Sequence, residues 1–366
     1  MRVVLLITDL QRGGTPLRIA RLARGLQGAG VEVHVGCLAP RGPLSDELEA
    51  AGIPTFACGA RCAADLWALV RLHRTLKALQ PGLLHATLTH ANVAARLVGA
   101  ELRIPVIGST ATVEVERRWH LWVERLTAPI DAAHVVHSRA LAEHVHRTFR
   151  LPRERIRVVP PSVEAGRPVE RLAARRLLGM PPDAFVIAWA GRFDPVKRVE
   201  LLIGAAGELA GRDVVVALAG DGPLRAALER RAAASGGRVV FLGWQADLAP
   251  LLSAADLFAL PSRTEGLPNA LLEAMLGGVP AVAFDIPPLR ELANVNQRLL
   301  LVPEGDAAAF IAALRHLQDR PELRRSLAAA ARQWAASHLD PRATTRALLR
   351  LYDDVVRRSA AAARGA

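Results

Sequence analysis

The chain is poor in the residues on which several classes of protein depend. Among its 366 residues are three cysteines, Cys37, Cys58 and Cys62. That is too few for a disulfide framework, and no third or fourth metal ligand neighbours them, so they read as buried free thiols in a reducing cytosol. There is one tyrosine, with six tryptophans and eight phenylalanines. None interleaves with a basic run as a base-stacking platform requires, so nucleic acid is not an expected partner. No apolar run approaches the roughly 18–20 residues of a membrane span. The N-terminus enters a strand pattern at residues 3–7 with no leader pattern before it, so a cytoplasmic protein is expected. No Gly-x-Gly-x-x-Gly follows that strand, which removes the usual signature of a dinucleotide-dependent dehydrogenase.

Lysine is the most informative scarcity. Of 47 basic residues only Lys77 and Lys197 are lysines. A lysine retained in such a background is either chance or a place where a compact ammonium does what a planar guanidinium cannot. The formal net charge of +12 is also uneven: residues 1–160 hold 21 Lys/Arg against 13 Asp/Glu, and the remainder 26 against 22. A basic N-terminal half suits a phosphate-bearing substrate or an anionic membrane surface.

Hydrophobic residues make up 51% of the chain, enough for two packed cores. Residues 3–7 read as a buried strand, Gly13 and Gly14 as part of a loop, and Thr15 and Pro16 as N-cap and first residue of a helix. Ile19, Leu22, Ala23 and Leu26 then give that helix one apolar face. Gly28 and Gly30 end it, and residues 31–35 alternate as the next strand. Further strands fit 83–85, 105–108 and 133–136, and the stretch 159–167, with Pro160, Pro161 and Gly166, reads as a linker. The pattern restarts with strands at 185–190, 214–219, 239–242, 257–260, 281–284 and 299–302. Alternating strands and helices imply an α/β protein of two Rossmann-like, doubly wound parallel sheets, residues 1–160 and 161–340. Such domains are expected to face a central cleft, with residues 341–366 forming a helix that packs back on the first.

Two loops carry the chemistry. Glu265 lies in a loop between a strand and a helix that starts near Pro268, and Glu273 follows eight residues later. Backbone N–H groups of the 266–269 stretch point out of that helix start and suit an anion or sugar oxygens. Glu273 is expected about two turns along, on much the same face. Two carboxylates so placed can hold two sets of hydroxyls, although read alone they also complement the helix dipole. The second loop runs through Ala190, Gly191, Arg192, Pro195, Lys197 and Arg198. Gly191 permits close backbone approach, and Arg192 and Lys197 place two charges where a departing diphosphate needs them. Read alone, it is equally a solvated basic turn.

In this order, these motifs resemble family 4 of the retaining nucleotide-sugar glycosyltransferases, which have the GT-B fold. The resemblance covers nearly the whole chain and is densest over residues 189–291. It rests there on Gly191, Arg192 and Lys197; Gly220, Asp221, Gly222 and Pro223; Phe241, Leu242 and Gly243; and the Glu265 and Glu273 pair. It implies that Arg192 and Lys197 grip the donor pyrophosphate, that Glu273 accepts from the ribose hydroxyls, and that Glu265 holds the transferred sugar beside Gly266, Leu267 and Asn269. It implies that Gly13 and Gly14 let backbone approach the distal phosphate. The co-substrate is then a UDP-, GDP- or other nucleotide-sugar, with no cofactor and no metal.

On the acceptor side His90 and Asn92 match a histidine-rich family segment, with simple helix packing as the alternative. Residues 114–125, with Arg117, Arg118, Trp119, Trp122 and Arg125, read as an ordinary partly buried helix or as one in peripheral contact with the inner face of an anionic membrane. The sequence departs from the family at Pro161 and Ser162, where an Asn-Gly pair is common. It departs again at Pro287 and Pro288, where two glycines usually offer N–H groups, and at Ala111, where many members carry histidine. The expected function is sugar transfer to a glycan, lipid-linked or other acceptor in glycoconjugate or polysaccharide synthesis. A non-catalytic nucleotide-sugar-binding subunit and a nucleotide-sugar 2-epimerase are the alternatives.

Overall fold

The computed structural model describes residues 1–62, 65–112, 118–295 and 297–365. It divides into two compact units, Met1–Ser162 with Leu339–Ala366, and Val163–His338.

The first unit opens with β1 (Arg2–Ile7), α1 (Gly14–Gly28), β2 (Glu32–Cys37), α2 (Pro43–Ala50) and β3 (Thr55–Ala57). It continues through α3 (Leu66–Leu79), β4 (Leu83–Thr87), α4 (Thr89–Leu102), β5 (Val106–Thr110) and α5 (Arg118–Thr127). β6 (Ala133–Val136), α6 (Arg139–Phe149) and β7 (Ile156–Val158) complete the sheet, whose order is β3-β2-β1-β4-β5-β6-β7 with all pairs parallel. Successive side chains of a strand point to opposite faces, and β1 shows the consequence. Val3, Leu5 and Ile7 pack with Ile19, Ala23 and Leu26 of α1, while Val4 and Leu6 pack with Leu72 and Leu76 of α3 and Ala95 of α4. Both faces are therefore dry, which is why the strand reads as an unbroken apolar run.

The second unit contains α7 (Arg171–Leu177), β8 (Phe185–Ala190), α8 (Val199–Glu208), β9 (Val214–Ala219), α9 (Arg225–Ala234) and β10 (Arg238–Gly243). α10 (Ala249–Ala254), β11 (Leu257–Leu260), α11 (Asn269–Gly277), β12 (Ala281–Phe284), α12 (Pro287–Ala293) and β13 (Leu300–Val302) follow, then α13 (Ala307–Asp319) and α14 (Pro321–His338). Its six strands run parallel in the order β10-β9-β8-β11-β12-β13.

The last helix, α15 (Pro341–Gly365), returns to the first unit. Leu348, Leu351, Tyr352 and Val355 join the core beneath α1. The crossing is close: a Cβ added at Gly25 of α1 would stand 2.6 Å from Thr345 Oγ1. Charge is divided unequally. The first unit holds 27 Lys/Arg against 16 Asp/Glu, a net +11, and the second 20 against 19, a net +1.

Several local expectations need correction. Gly13, not Thr15, caps α1, with an extended backbone and no side-chain hydrogen bond to the helix. Two strands escaped the sequence pattern, β3 and β7. Both are three residues long and lie at the sheet edges, where partial exposure removes the need for an apolar run. Cys62 is exposed, although Cys37 and Cys58 are buried.

In each sheet the strand order reverses once, between β1 and β4 and between β8 and β11. Loops leaving the carboxyl ends of such neighbours diverge and leave a crevice, the usual ligand position in doubly wound sheets.

Candidate functional site

In the second unit that crevice is bordered by the two loops singled out from sequence. The loop after β8 is fixed by its neighbours. Gly191 N–H donates to Ala219 O at 3.0 Å, Phe193 N–H to Asp221 O at 2.9 Å, and Leu224 N–H to Phe193 O at 3.2 Å. Phe193 is fully buried and stacks on Trp189, with ring centroids 5.4 Å apart. Two glycines make the interlock possible. A Cβ at Gly191 would stand 3.0 Å from the Trp189 ring, and one at Gly222 would stand 2.6 Å from Phe193 O. Gly222 also has φ +156, so its place is closed to side chains on both counts. Held between Gly191 and buried Phe193, Arg192 is exposed, with no ion-pair partner among the described residues.

The same loop continues into a single 3₁₀ turn, Pro195–Lys197, whose N-cap Asp194 accepts from Val196 N–H at 3.3 Å. Arg198 then takes a left-handed conformation, φ 51, and its guanidinium lies 5.3 Å from the centroid of the Phe284 ring. That reversal starts α8 and turns Lys197 toward the β11 loop. Arg263 N–H donates to Val196 O at 2.9 Å, joining the two loops by backbone. Beside that joint Lys197 Nζ meets Glu265 Oε1 at 2.6 Å. The Glu265 side chain is 7% exposed and that of Lys197 23%, so the pair is largely shielded from water. The sequence named both residues but not their contact, which depends on β8 and β11 being neighbours.

Glu265, Gly266 and Leu267 are buried, and Asn269 is the first residue of α11. The helix therefore begins four residues after Glu265, and the expectation of one shared helix face does not hold. Glu265 belongs to the loop, and Glu273 lies inside the helix and is buried. Gly278, with φ 73, stops α11 and lets the chain enter β12. Further along the edge, α12 starts with Pro287 and Pro288, so its first turn offers no N–H from either position.

In the first unit Gly13 and Gly14 stand where β1 hands over to α1, at the reversal point of that sheet. Across the reversal, Leu88 precedes α4 with φ 77 and ψ 148, a region that a leucine enters only when its surroundings impose it. Such a residue costs on the order of 1–3 kcal/mol, and strain of this kind gathers at functional sites. It presents Thr89 and half-buried His90, whose ring meets His120 edge-on at 4.9 Å and Trp119 at 5.8 Å.

Asn92 does not belong with His90. It is 1% exposed, donates to Ser109 O at 3.0 Å and to Glu124 Oε1 at 3.1 Å, and accepts from Ser109 N–H at 3.2 Å. Its amide is committed to the interior and does not reach an acceptor. It borders a buried charge cluster in which Arg96 binds both oxygens of Asp131, at 2.8 and 2.7 Å, and Glu124 at 2.5 Å. His134 approaches Asp131 Oδ2 at 2.8 Å. Paired so completely, these charges fix α4 and α5 against β5 and β6. Of the tryptophan- and arginine-rich stretch, residues 114–117 lie outside the described residues, while Trp119 and Trp122 of α5 are exposed. Among the described residues no three His, Cys, Asp or Glu side chains are grouped to hold a metal ion, and no helix is long and apolar enough to cross a membrane.

Comparison with known proteins is consistent along the chain. Residues 12–167 match the model of Glycosyltransferase Family 4, and residues 184–320 that of Glycosyl transferases group 1. A D-inositol 3-phosphate glycosyltransferase of Saccharomonospora viridis is 35% identical over 250 residues, 64% of this chain and 58% of the relative. A 2-deoxystreptamine N-acetyl-D-glucosaminyltransferase of Streptomyces fradiae is 29% identical over 87% of this chain and 86% of its own. The chain thus spans just over half of the first relative and most of the second. Among solved structures, Anabaena HepE in complex with UDP and glucose superposes with a TM-score of 0.85 at 20% identity, covering 97% of this chain and 100% of HepE. At that identity the likeness speaks for the fold.

Proposed function

The chain belongs to the family 4 glycosyltransferases, with two Rossmann-like domains of the GT-B fold, and from that premise we propose that it is a retaining, metal-independent enzyme. It moves a sugar from a nucleotide-diphosphate sugar to a glycan or lipid-linked acceptor. The observation that carries the proposal is the gathering of Arg192, Lys197 and Glu265 on the two loops that flank the β8/β11 reversal.

In this reading the second unit binds the donor and the first the acceptor. Arg192 and Lys197 neutralise the pyrophosphate as the bond from the anomeric carbon to its oxygen breaks. Glu265 holds hydroxyls of the sugar, with the backbone of Gly266, Leu267 and Asn269, and Glu273 accepts from the ribose. The acceptor oxygen bonds to the anomeric carbon on the face the phosphate leaves. Its proton passes to the departing phosphate oxygen, so configuration is kept. The strongly basic first unit supports peripheral contact with an anionic membrane from the cytoplasmic side.

A second reading, a nucleotide-sugar-binding subunit without catalysis, is favoured by Pro287 and Pro288, which remove two N–H groups from the start of α12. A melting-temperature panel of nucleotide-sugars that includes UDP-glucose and GDP-mannose tests both. A ligand that binds the native state raises the melting temperature by mass action. The enzyme reading expects one donor class to stabilise and to be hydrolysed slowly without acceptor. Stabilisation with no turnover selects the binding subunit, and no stabilisation by any donor defeats both.

A further inference from the structure

A pocket of roughly 350 Å³ opens in the first unit. Its polar end lies at the β1/β4 reversal, where Thr8, Thr89 and His90 line it. Thr8 Oγ1 is buried there without a hydrogen-bond partner among the described residues. A buried hydroxyl left in that condition is expensive unless a bound group or water answers it.

From that end the walls become mainly apolar, with Arg61 and Asp65 the charged residues of the lining. Leu69 of α3, Val93 of α4 and Val123 of α5 line the interior, and Leu66, Leu97 and Trp119 form the outer part. These three are 71%, 48% and 50% exposed. The apolar surface does not stop at the mouth. Trp119, Trp122 and Leu126 fall at i, i+3 and i+7 of α5, one helix face, and all three are exposed. His120 and Glu124, on the other side of α5, are buried. The helix is held by the Arg96–Glu124 pair while it turns its indoles outward. Exposed apolar surface on this scale, continuous with a pocket, marks a binding site rather than chance.

We infer that this pocket holds the aliphatic chain of a lipid-linked acceptor, an inference that rests on the transferase reading above. The arrangement fits an amphiphile from end to end. Its polar group reaches the carboxyl edge of the sheet beside Thr8 and His90, its chain follows the wall of α4, and the rest leaves across the indoles of α5. A free oligosaccharide would leave the apolar wall wet and the exposed tryptophans without purpose. The charge division agrees, because the unit that carries the pocket holds +11 of the +12 net charge. A phosphate on the carrier lipid would be drawn to it.

The test is a fluorescence titration of the full chain with 11-(dansylamino)undecanoic acid. The inference expects saturable binding of one equivalent, displaced by dodecyl phosphate and not by glycerol phosphate. Val93→Trp fills the pocket and should weaken binding about tenfold or more. Leu97→Asp, at the exposed mouth, should weaken it without disturbing the fold. The melting shift given by the best nucleotide-sugar should survive in both variants. Unchanged probe affinity in both variants overturns the inference, as does equal displacement by glycerol phosphate. Saturation only on phosphatidylglycerol vesicles, with none by the free probe, also overturns it and makes the indole face a bilayer contact. The donor arm is read separately. If no nucleotide-sugar stabilises the wild type, the transferase reading fails, whatever the pocket variants show, and the chain's role as acceptor fails with it.

Discussion

Lys197 and Glu265 form a shielded ion pair of 2.6 Å across the two loops that border the β8/β11 reversal. The proposed function gives each a different part of the donor, Lys197 the pyrophosphate and Glu265 the sugar. In this contact each satisfies the other. This keeps a buried carboxylate from standing unpaired, which would cost several kcal/mol, and holds both groups in place for a ligand that brings its own charge and hydroxyls.

The first prediction concerns the chemistry of that ammonium. Lys197→Arg keeps the charge, but a planar fork beside Glu265 does not reproduce a compact point charge. Turnover with the best donor should fall on the order of tenfold to a hundredfold. Lys77→Arg, on the exposed surface of α3, should lose nothing. Equal, near-wild-type rates for both variants would show that Lys197 is a generic positive charge.

The second prediction separates donor binding from folding. Glu273 lies buried inside α11, and the proposed role is acceptance from two ribose hydroxyls. An amide does this only in part, so Glu273→Gln should weaken donor affinity by roughly 1.5–3 kcal/mol. Isothermal titration with the stabilising nucleotide-sugar, alongside an unchanged far-ultraviolet circular dichroism spectrum, checks it. Unaltered affinity would remove the ribose assignment.

A third follows from where the neutralising charge comes from. If Arg192 and Lys197 supply it, transfer or slow donor hydrolysis should continue in excess EDTA. Activity abolished by the chelator and restored by Mg²⁺ or Mn²⁺ would sink that part of the mechanism.

What the sequence revealed follows from burial. Strands covered on both faces, residues 185–190, 214–219, 257–260 and 281–284, have the bounds that their apolar runs predict. Edge strands β3 and β7 are short and half wet, so hydropathy does not mark them. Arg192, Lys197 and Glu265 stand out as candidates because residue type and loop position coincide, and Glu273 because of its spacing from Glu265. The Lys197–Glu265 contact does not, since its members are 68 positions apart and meet only through sheet order. Asn92 misled because a polar residue early in a helix looks available. Its burial is set by Ser109 and Glu124, which no local pattern reveals. The pocket behind His90 was equally hidden, since its walls come from three helices and each wall residue alone looks like ordinary core.

The last prediction concerns acid. His85 is 3% exposed, with Nδ1 2.5 Å from the Tyr352 hydroxyl and Nε2 2.6 Å from Ser109 Oγ. Two neutral hydroxyls give an imidazolium little help. Burial first, and the nearby His134 second, push the His85 pKa down to about 4, against a weaker opposing pull from Asp131. In the unfolded chain it returns to about 6.5. Between those values the unfolded state takes up a proton that the folded state refuses, so stability falls as pH falls. The contribution is fully present above about pH 6.5 and is lost progressively down to about pH 4, where the folded state begins to accept the proton too. The whole span is worth about 3 kcal/mol. Urea unfolding at pH 7 and pH 4.5 should show a drop larger than the His85 share, because burial also pushes the His137 pKa down, to about 3. His85→Gln, which cannot titrate, should lose less over the same interval even if it is less stable at pH 7. Parallel losses in the two proteins would mean that His85 contributes nothing to the acid sensitivity and that His137 and other groups carry it.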